Sequence, residues 1–206
     1  MPPDDTPADT PADTLADTPD GAPDDALTEA PAPPDPLILT LRLDADTEAR
    51  LRLARERWFP PRLNRIPAHL TLFHALPGGE LERVLAECRA VAADVAPFPA
   101  RVGELVSLGA GWAVRVRAGR LDAVRAWLAD AFRPWLTPQD AQGFRAHVTV
   151  QNKVGRAIAV ECEAAIRAEL EPAWDALATG IGVWIYRGGP WEAVETVAFS
   201  GDGPDG

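Results

Sequence analysis

Two histidine and threonine pairs, His69 with Thr71 and His147 with Thr149, are the residues of this 206-residue chain best suited to chemistry. They stand in matching stretches, Ala68-His69-Leu70-Thr71-Leu72-Phe73 and Ala146-His147-Val148-Thr149-Val150-Gln151. An imidazole titrates near neutral pH, so it serves equally as a proton donor or acceptor. A hydroxyl donates a hydrogen bond to an oxygen on which negative charge develops. An in-line displacement at phosphorus needs that set: a base for the attacking oxygen, an acid for the departing one, and donors for the non-bridging oxygens. A single His-x-Thr would carry no weight, because strand-end histidines bonded to backbone are common. The chain holds only three histidines, however, and two of them fall in the same pattern.

The elements that must carry these pairs follow from periodicity. In both stretches polar and aliphatic residues alternate, and a period of two places His and Thr on one face of a β-strand and Leu or Val on the other. A strand is expected at 37–43, then a helix over 47–57 capped by Asp44 or Asp46 and ended by Pro60 and Pro61. After the first His-x-Thr strand come a helix near 80–95, an extended segment at 99–108 and a turn at Gly109-Ala110-Gly111. The second half repeats this order: a strand at 112–116, a helix over 121–132, a loop over 134–143 and the second His-x-Thr strand. A helix near 156–170 and two strands, 174–187 and 191–199, complete it. Repetition at near-equal offsets predicts an α+β fold of two pseudo-symmetric lobes, roughly 37–110 and 111–200. Each would be an antiparallel sheet backed by helices, the two facing each other across a central groove.

Composition bounds the rest. The formal charge of -11 belongs to the ends: ten acidic residues and no Lys or Arg precede residue 37, and Asp202 and Asp205 close the chain. Residues 37–200 carry nineteen acids against twenty bases and are nearly neutral. The segment 1–36 is built on tetrapeptides such as Pro7-Ala8-Asp9-Thr10 and Pro11-Ala12-Asp13-Thr14, which hold little apolar surface to offset the entropy of ordering. A disordered tail that would repel RNA is expected there, and a flexible end over 201–206. No apolar run is long enough for a membrane span. Met1-Pro2-Pro3-Asp4-Asp5 lacks the marks of a secretion signal, so a cytoplasmic protein is expected, with Cys88 and Cys162 as free thiols. Trp112, Trp127, Trp174 and Trp184 fall in core-patterned elements.

The doubled pentad, His69-Leu70-Thr71-Leu72 and His147-Val148-Thr149-Val150, resembles the signature of the two-histidine phosphoesterase superfamily, and within it bacterial 2'-5' RNA ligase family proteins. The resemblance covers roughly residues 37–200. It implies a metal-independent cyclic phosphodiesterase that needs no cofactor and opens a 2',3'-cyclic phosphate to a 2'-phosphate. Some relatives also join a 5'-hydroxyl end reversibly through a 2'-5' bond. It further implies His69 as proton donor, His147 as proton acceptor, and Thr71 and Thr149 as phosphate ligands. Two positions depart from the pattern of many relatives. Ala68 and Ala146 stand where proline precedes the histidine, and Gln151-Asn152-Lys153 follows the second motif where an arginine is usual.

The residues themselves suggest further members of the site. Arg145 lies two positions before His147, which points it into the groove as a phosphate ligand. Phe73 and Gln151 share the histidine faces and Lys153 follows closely, so these three are candidate substrate walls. His74 falls five positions after His69 and on strict alternation faces away, which makes it structural or exposed and argues against a zinc site. A monomer is expected, with an RNA end or a small cyclic phosphodiester as substrate, since long RNA favours a more basic surface. The competing reading is a non-catalytic module that keeps the fold to bind a nucleotide or phosphate.

Overall fold

The structure, a computed structural model, describes residues 34–202. The expected disordered segment lies outside the described residues up to 33, and so does the chain from 203. At both borders the described backbone is already tied down. Tyr186 N–H donates to the Pro36 carbonyl at 3.0 Å, and Gly201 N–H to that of Val95 at 3.2 Å.

Strand and helix follow the periodicity closely. The order is β1 (Leu37–Leu43), α1 (Ala45–Trp58), β2 (Leu70–Leu76), α2 (Leu81–Asp94), β3 (Phe98–Ser107) and β4 (Trp112–Arg117). Then come α3 (Gly119–Ala131), β5 (His147–Gln151), α4 (Arg156–Leu170), β6 (Trp174–Tyr186) and β7 (Trp191–Ala198). Asp44 caps α1, its Oδ1 accepting from Thr47 N–H at 2.9 Å while Oδ2 accepts from Leu177 N–H at 2.8 Å. One carboxylate thus starts the helix and fixes it against β6.

All seven strands join in a single antiparallel sheet of order β2-β1-β6-β3-β4-β5, with β7 also pairing β6. The two pseudo-symmetric halves are therefore continuous through β6, and the sheet curls into a half-barrel in which its end strands β2 and β5 approach each other. A cut near residue 110 does not separate the halves. β3, from the first half of the chain, pairs with β4 of the second, and β6, from the second half, pairs with β1 of the first. β3 and β6 are thus shared between the halves, which is why they form one body.

Three extra residues, two in β2 and one in β3, aim the backbone. Along β2, Thr71 opposes Thr40 and Phe73 opposes Leu39, so β2 takes two steps against one of β1. A second extra residue falls before Leu76. In β3, Gly103 at φ 152° opens a bulge against β4, where a Cβ would stand 2.3 Å from that of Ala173. Each bulge flips the phase of the residues beyond it.

The core runs between the inner sheet face and the helices. Leu39, Leu70, Leu72, Val114, Val148, Val150 and Ile181 from the strands meet Leu51, Val84, Val91, Leu121, Leu128 and Ile166 from the helices. Trp112 joins this core, but Trp127 does not. It sits on the outer face of α3, 42% exposed. Cys88 and Cys162 are both free, and burial pushes the Cys88 thiol up to about 12.

Candidate active site

Each pentad splits by face as its alternation requires. Leu70 and Leu72, like Val148 and Val150, are buried in the core, while His69, Thr71, His147 and Thr149 reach the other side. Because the curl of the sheet brings β2 opposite β5, all four line one cavity of about 430 Å³. That volume suits a nucleotide-sized ligand. The two rings are also held alike. His69 Nδ1 lies 2.7 Å from the carbonyl of Pro67, and His147 Nδ1 lies 2.7 Å from that of Arg145, in each case two residues upstream. A ring whose Nδ1–H donates to a carbonyl leaves Nε2 for the ligand.

The environments of the two rings differ. Burial pushes the His69 imidazole down to about 4, with the Pro67 carbonyl opposing and the charge of Arg55 adding to the effect. Trp191, at the start of β7, packs on His69 with ring centroids 4.4 Å apart and planes tilted by 50°. Arg55, on α1, is buried, and its Nε donates to Asn64 Oδ1 at 2.9 Å and its Nη1 to the Thr149 carbonyl at 2.7 Å. Desolvation lowers the Arg55 guanidinium to about 10, so it remains a cation at neutral pH. A positive charge therefore reaches the second pentad from α1, although Gln151-Asn152-Lys153, directly after that pentad, include no arginine.

The third histidine overturns the reading from strict alternation. The bulge between Thr71 and Phe73 returns His74 to the side of Thr71, and it lines the same cavity as the catalytic candidates. Its Nδ1 lies 2.7 Å from Oδ1 of Asp140, a carboxylate with only 1% of its side chain exposed. Asp140 also accepts from the main-chain N–H of His74 and Ala75 and from the Thr137 hydroxyl. Burial would raise the Asp140 carboxyl, but its bonds from His74 and Ala75 outweigh that and hold it below the usual range. Arg125 of α3, itself buried, donates from Nε to the Leu72 carbonyl at 2.8 Å and from Nη2 to the Asp140 carbonyl at 2.6 Å. One guanidinium thereby ties the β2 bulge to the loop that holds Asp140.

The remaining candidates divide. Arg145 is exposed and lines the cavity, as its spacing predicts. Lys153 lies on an adjoining groove that shares His69, Thr149 and Trp191 with the cavity. Phe73 and Gln151 form no wall. The bulge turns Phe73 into the core, 0% exposed and edge-on to Phe132 with ring centroids 5.4 Å apart. Gln151 is 1% exposed beside β4. Arg55, Trp191, Arg125 and the His74 and Asp140 pair carry no local signal, because each gains its place only through contacts distant in sequence. Among the described residues no group of three or more His, Cys, Asp or Glu side chains gathers as a metal site, and no helix is long and apolar enough to cross a membrane.

Several solved structures share this fold. TT0787 of Thermus thermophilus matches with a TM-score of 0.59 and 19% identity, over 82% of this chain and 100% of its own. A crystallised phosphoesterase matches with 0.55 and 16%, over 81% and 99%. E. coli LigT, complexed with 3'-AMP, matches with 0.54 and 17%, over 81% and 99%. No curated protein sequence matches at a significant level. The model of the 2'-5' RNA ligase superfamily matches residues 43–190, a span that holds both pentads and the strands from β2 to β6, and the chain belongs to that superfamily.

Proposed function

We propose that this protein is a phosphoesterase that opens 2',3'-cyclic phosphates, at an RNA end or on a small nucleotide, without a metal. The observation that carries this reading is the meeting of His69, Thr71, His147 and Thr149 in one cavity from pentads at opposite ends of the sheet. His147 takes the proton of the attacking water, whose oxygen bonds to phosphorus. The bond from phosphorus to the ribose 3' oxygen breaks, and His69 gives that oxygen its proton, leaving a 2'-phosphate. Thr71 and Thr149, with Arg145, bind the non-bridging oxygens. A 5'-hydroxyl in place of water gives a 2'-5' linkage through the same atoms, and this is the ligase direction. The His69 imidazole is pushed down to about 4, so its proton arrives with the anionic substrate, and a desolvated imidazolium is then a strong acid for the leaving oxygen. LigT, similar in fold, has been crystallised with 3'-AMP and with phosphate, ligands of the size and charge that this cavity suits.

The test is to offer nucleoside 2',3'-cyclic phosphates and an RNA ending in one, with EDTA present. Turnover to the 2'-phosphate is expected, and His147→Ala should lower kcat by about 10²–10⁴-fold, the usual worth of one placed proton transfer. Full activity in that variant would refute the assignment. Ligand-induced stabilisation without turnover of any such substrate would favour the non-catalytic module.

A further inference from the structure

His74 has no part in the proton transfers above, yet more of the fold is devoted to holding it than to either pentad histidine. Its ring is fixed at Nδ1 by a buried carboxylate, its main-chain N–H is bonded to both oxygens of that carboxylate at 3.0 Å, and Arg125 clamps the two segments involved. The ring is nonetheless 45% exposed and faces the cavity. With Nδ1 committed to Asp140, Nε2 is the nitrogen left for a ligand. Buried scaffolding around a partly exposed polar group is how a binding residue is preorganised.

The surroundings define what it binds. The arginine and carboxylate side chains on the cavity are Arg125, Arg145 and Asp140, two cations against one anion, so its lining is net positive, and the amides of Gln139 and Gln142 add donors. That set suits an anion with several acceptor oxygens. His74 lies three residues beyond Thr71, roughly 10 Å along a strand before the bulge shortens it. His74 and the two threonines line the same cavity, so a nucleotide whose cyclic phosphate sits at Thr71 and Thr149 can reach His74 with a second phosphate.

We propose that His74, held by Asp140, is a specificity-determining residue that binds a second phosphate on the 5' side of the substrate. This rests on the reading that the cavity takes a 2',3'-cyclic phosphate. The favoured substrate is then a nucleoside 2',3'-cyclic phosphate that carries a 5'-phosphoryl group, either a free 5'-phosphate or the phosphodiester preceding an RNA end. Nε2 of the ring donates to a phosphate oxygen while Nδ1 stays held at Asp140.

Equilibrium binding of product-like ligands to the full chain tests this apart from turnover. The ligands are adenosine 2'-monophosphate, adenosine 2',5'-bisphosphate and a dinucleotide with a terminal 2'-phosphate. The unmodified protein should bind one or both of the latter at least about tenfold more tightly than the monophosphate, the worth of one hydrogen bond to a charged group. Which of the two gains identifies the free phosphate or the phosphodiester as the source. The preference should fall to near unity in His74→Asn, whose amide keeps a donor for Asp140 but lacks the second ring nitrogen. It should return in part in His74→Gln, whose amide reaches farther. Binding of the monophosphate with no preference in the unmodified protein, or an equal preference in His74→Asn, overturns the proposal alone. Failure to bind any of the three overturns the reading of the cavity as well.

Discussion

Arg55 donates from Nη1 to the main-chain carbonyl of Thr149, 2.7 Å away, so that a helix of the first half holds the strand bearing the second His-x-Thr pair. β5 is an end strand of the sheet and, among the described residues, has no partner strand on that side. A buried cation from α1 satisfies its carbonyl and, through Asn64, also fixes the loop that leads to His69. One side chain thereby sets the spacing of the two pentads.

Replacing Arg55 with Met should cost about 2–4 kcal/mol, because it leaves the Thr149 carbonyl and the Asn64 amide without their donor in a buried place. Arg55→Lys should recover only part of this, since one ammonium does not span both acceptors with the fork of a guanidinium. Denaturant midpoints of the three proteins measure it. Equal midpoints would show that the bond to Thr149 contributes nothing.

The two threonines should behave as a matched pair. Thr71→Val and Thr149→Val keep the β-branched shape that the strands favour and remove only the hydroxyl. Each should lower kcat by about 10–10³-fold with little change in thermal stability, as expected for a donor to developing negative charge. A loss confined to one of them would mean that the phosphate is bound by a single lobe.

The His69 imidazole, pushed down to about 4 by burial, ties stability to pH. Between its unfolded value near 6.5 and about 4, the unfolded chain binds a proton that the folded chain refuses. Stability contributed by this site is therefore complete above pH 6.5 and is lost as pH falls toward 4. The expected loss is on the order of 1–3 kcal/mol across that window. Melting curves at about pH 7 and about pH 4.5 check this, since His69→Gln should lose less than the unmodified protein. Asp44 and Asp140 have lowered values, so their contributions fade below the ordinary carboxyl range instead and do not share the window.

Loading the cavity should reverse the effect at His69. An anionic phosphate favours the imidazolium, so binding of a nucleoside 2'-monophosphate at about pH 7 should take up close to one proton, and affinity should fall as pH rises. Calorimetry in buffers of different ionisation enthalpy counts that proton. If none is taken up in the unmodified protein, His69 stays neutral in the complex and the donor role passes to His147.

Local pattern carried much of this protein on its own. Alternation placed His69, Thr71, His147 and Thr149 at cavity-facing positions and their aliphatic neighbours in the core, because a strand has no other way to arrange a period of two. The same logic located the α-helices and strands and gave Arg145 its direction. It failed where one inserted residue changes the phase. The bulge in β2 moved Phe73 from candidate wall to core and His74 from the far side to the cavity, and no rule of composition places such a bulge in advance. The exchange of β3 and β6 between halves, the reach of Arg55 from α1 to Thr149, and the assembly of Asp140 and Arg125 around His74 were decided only by the folded chain. These depend on contacts between distant segments, whose energies come from burial and hydrogen bonds that exist only once the sheet has closed its curl.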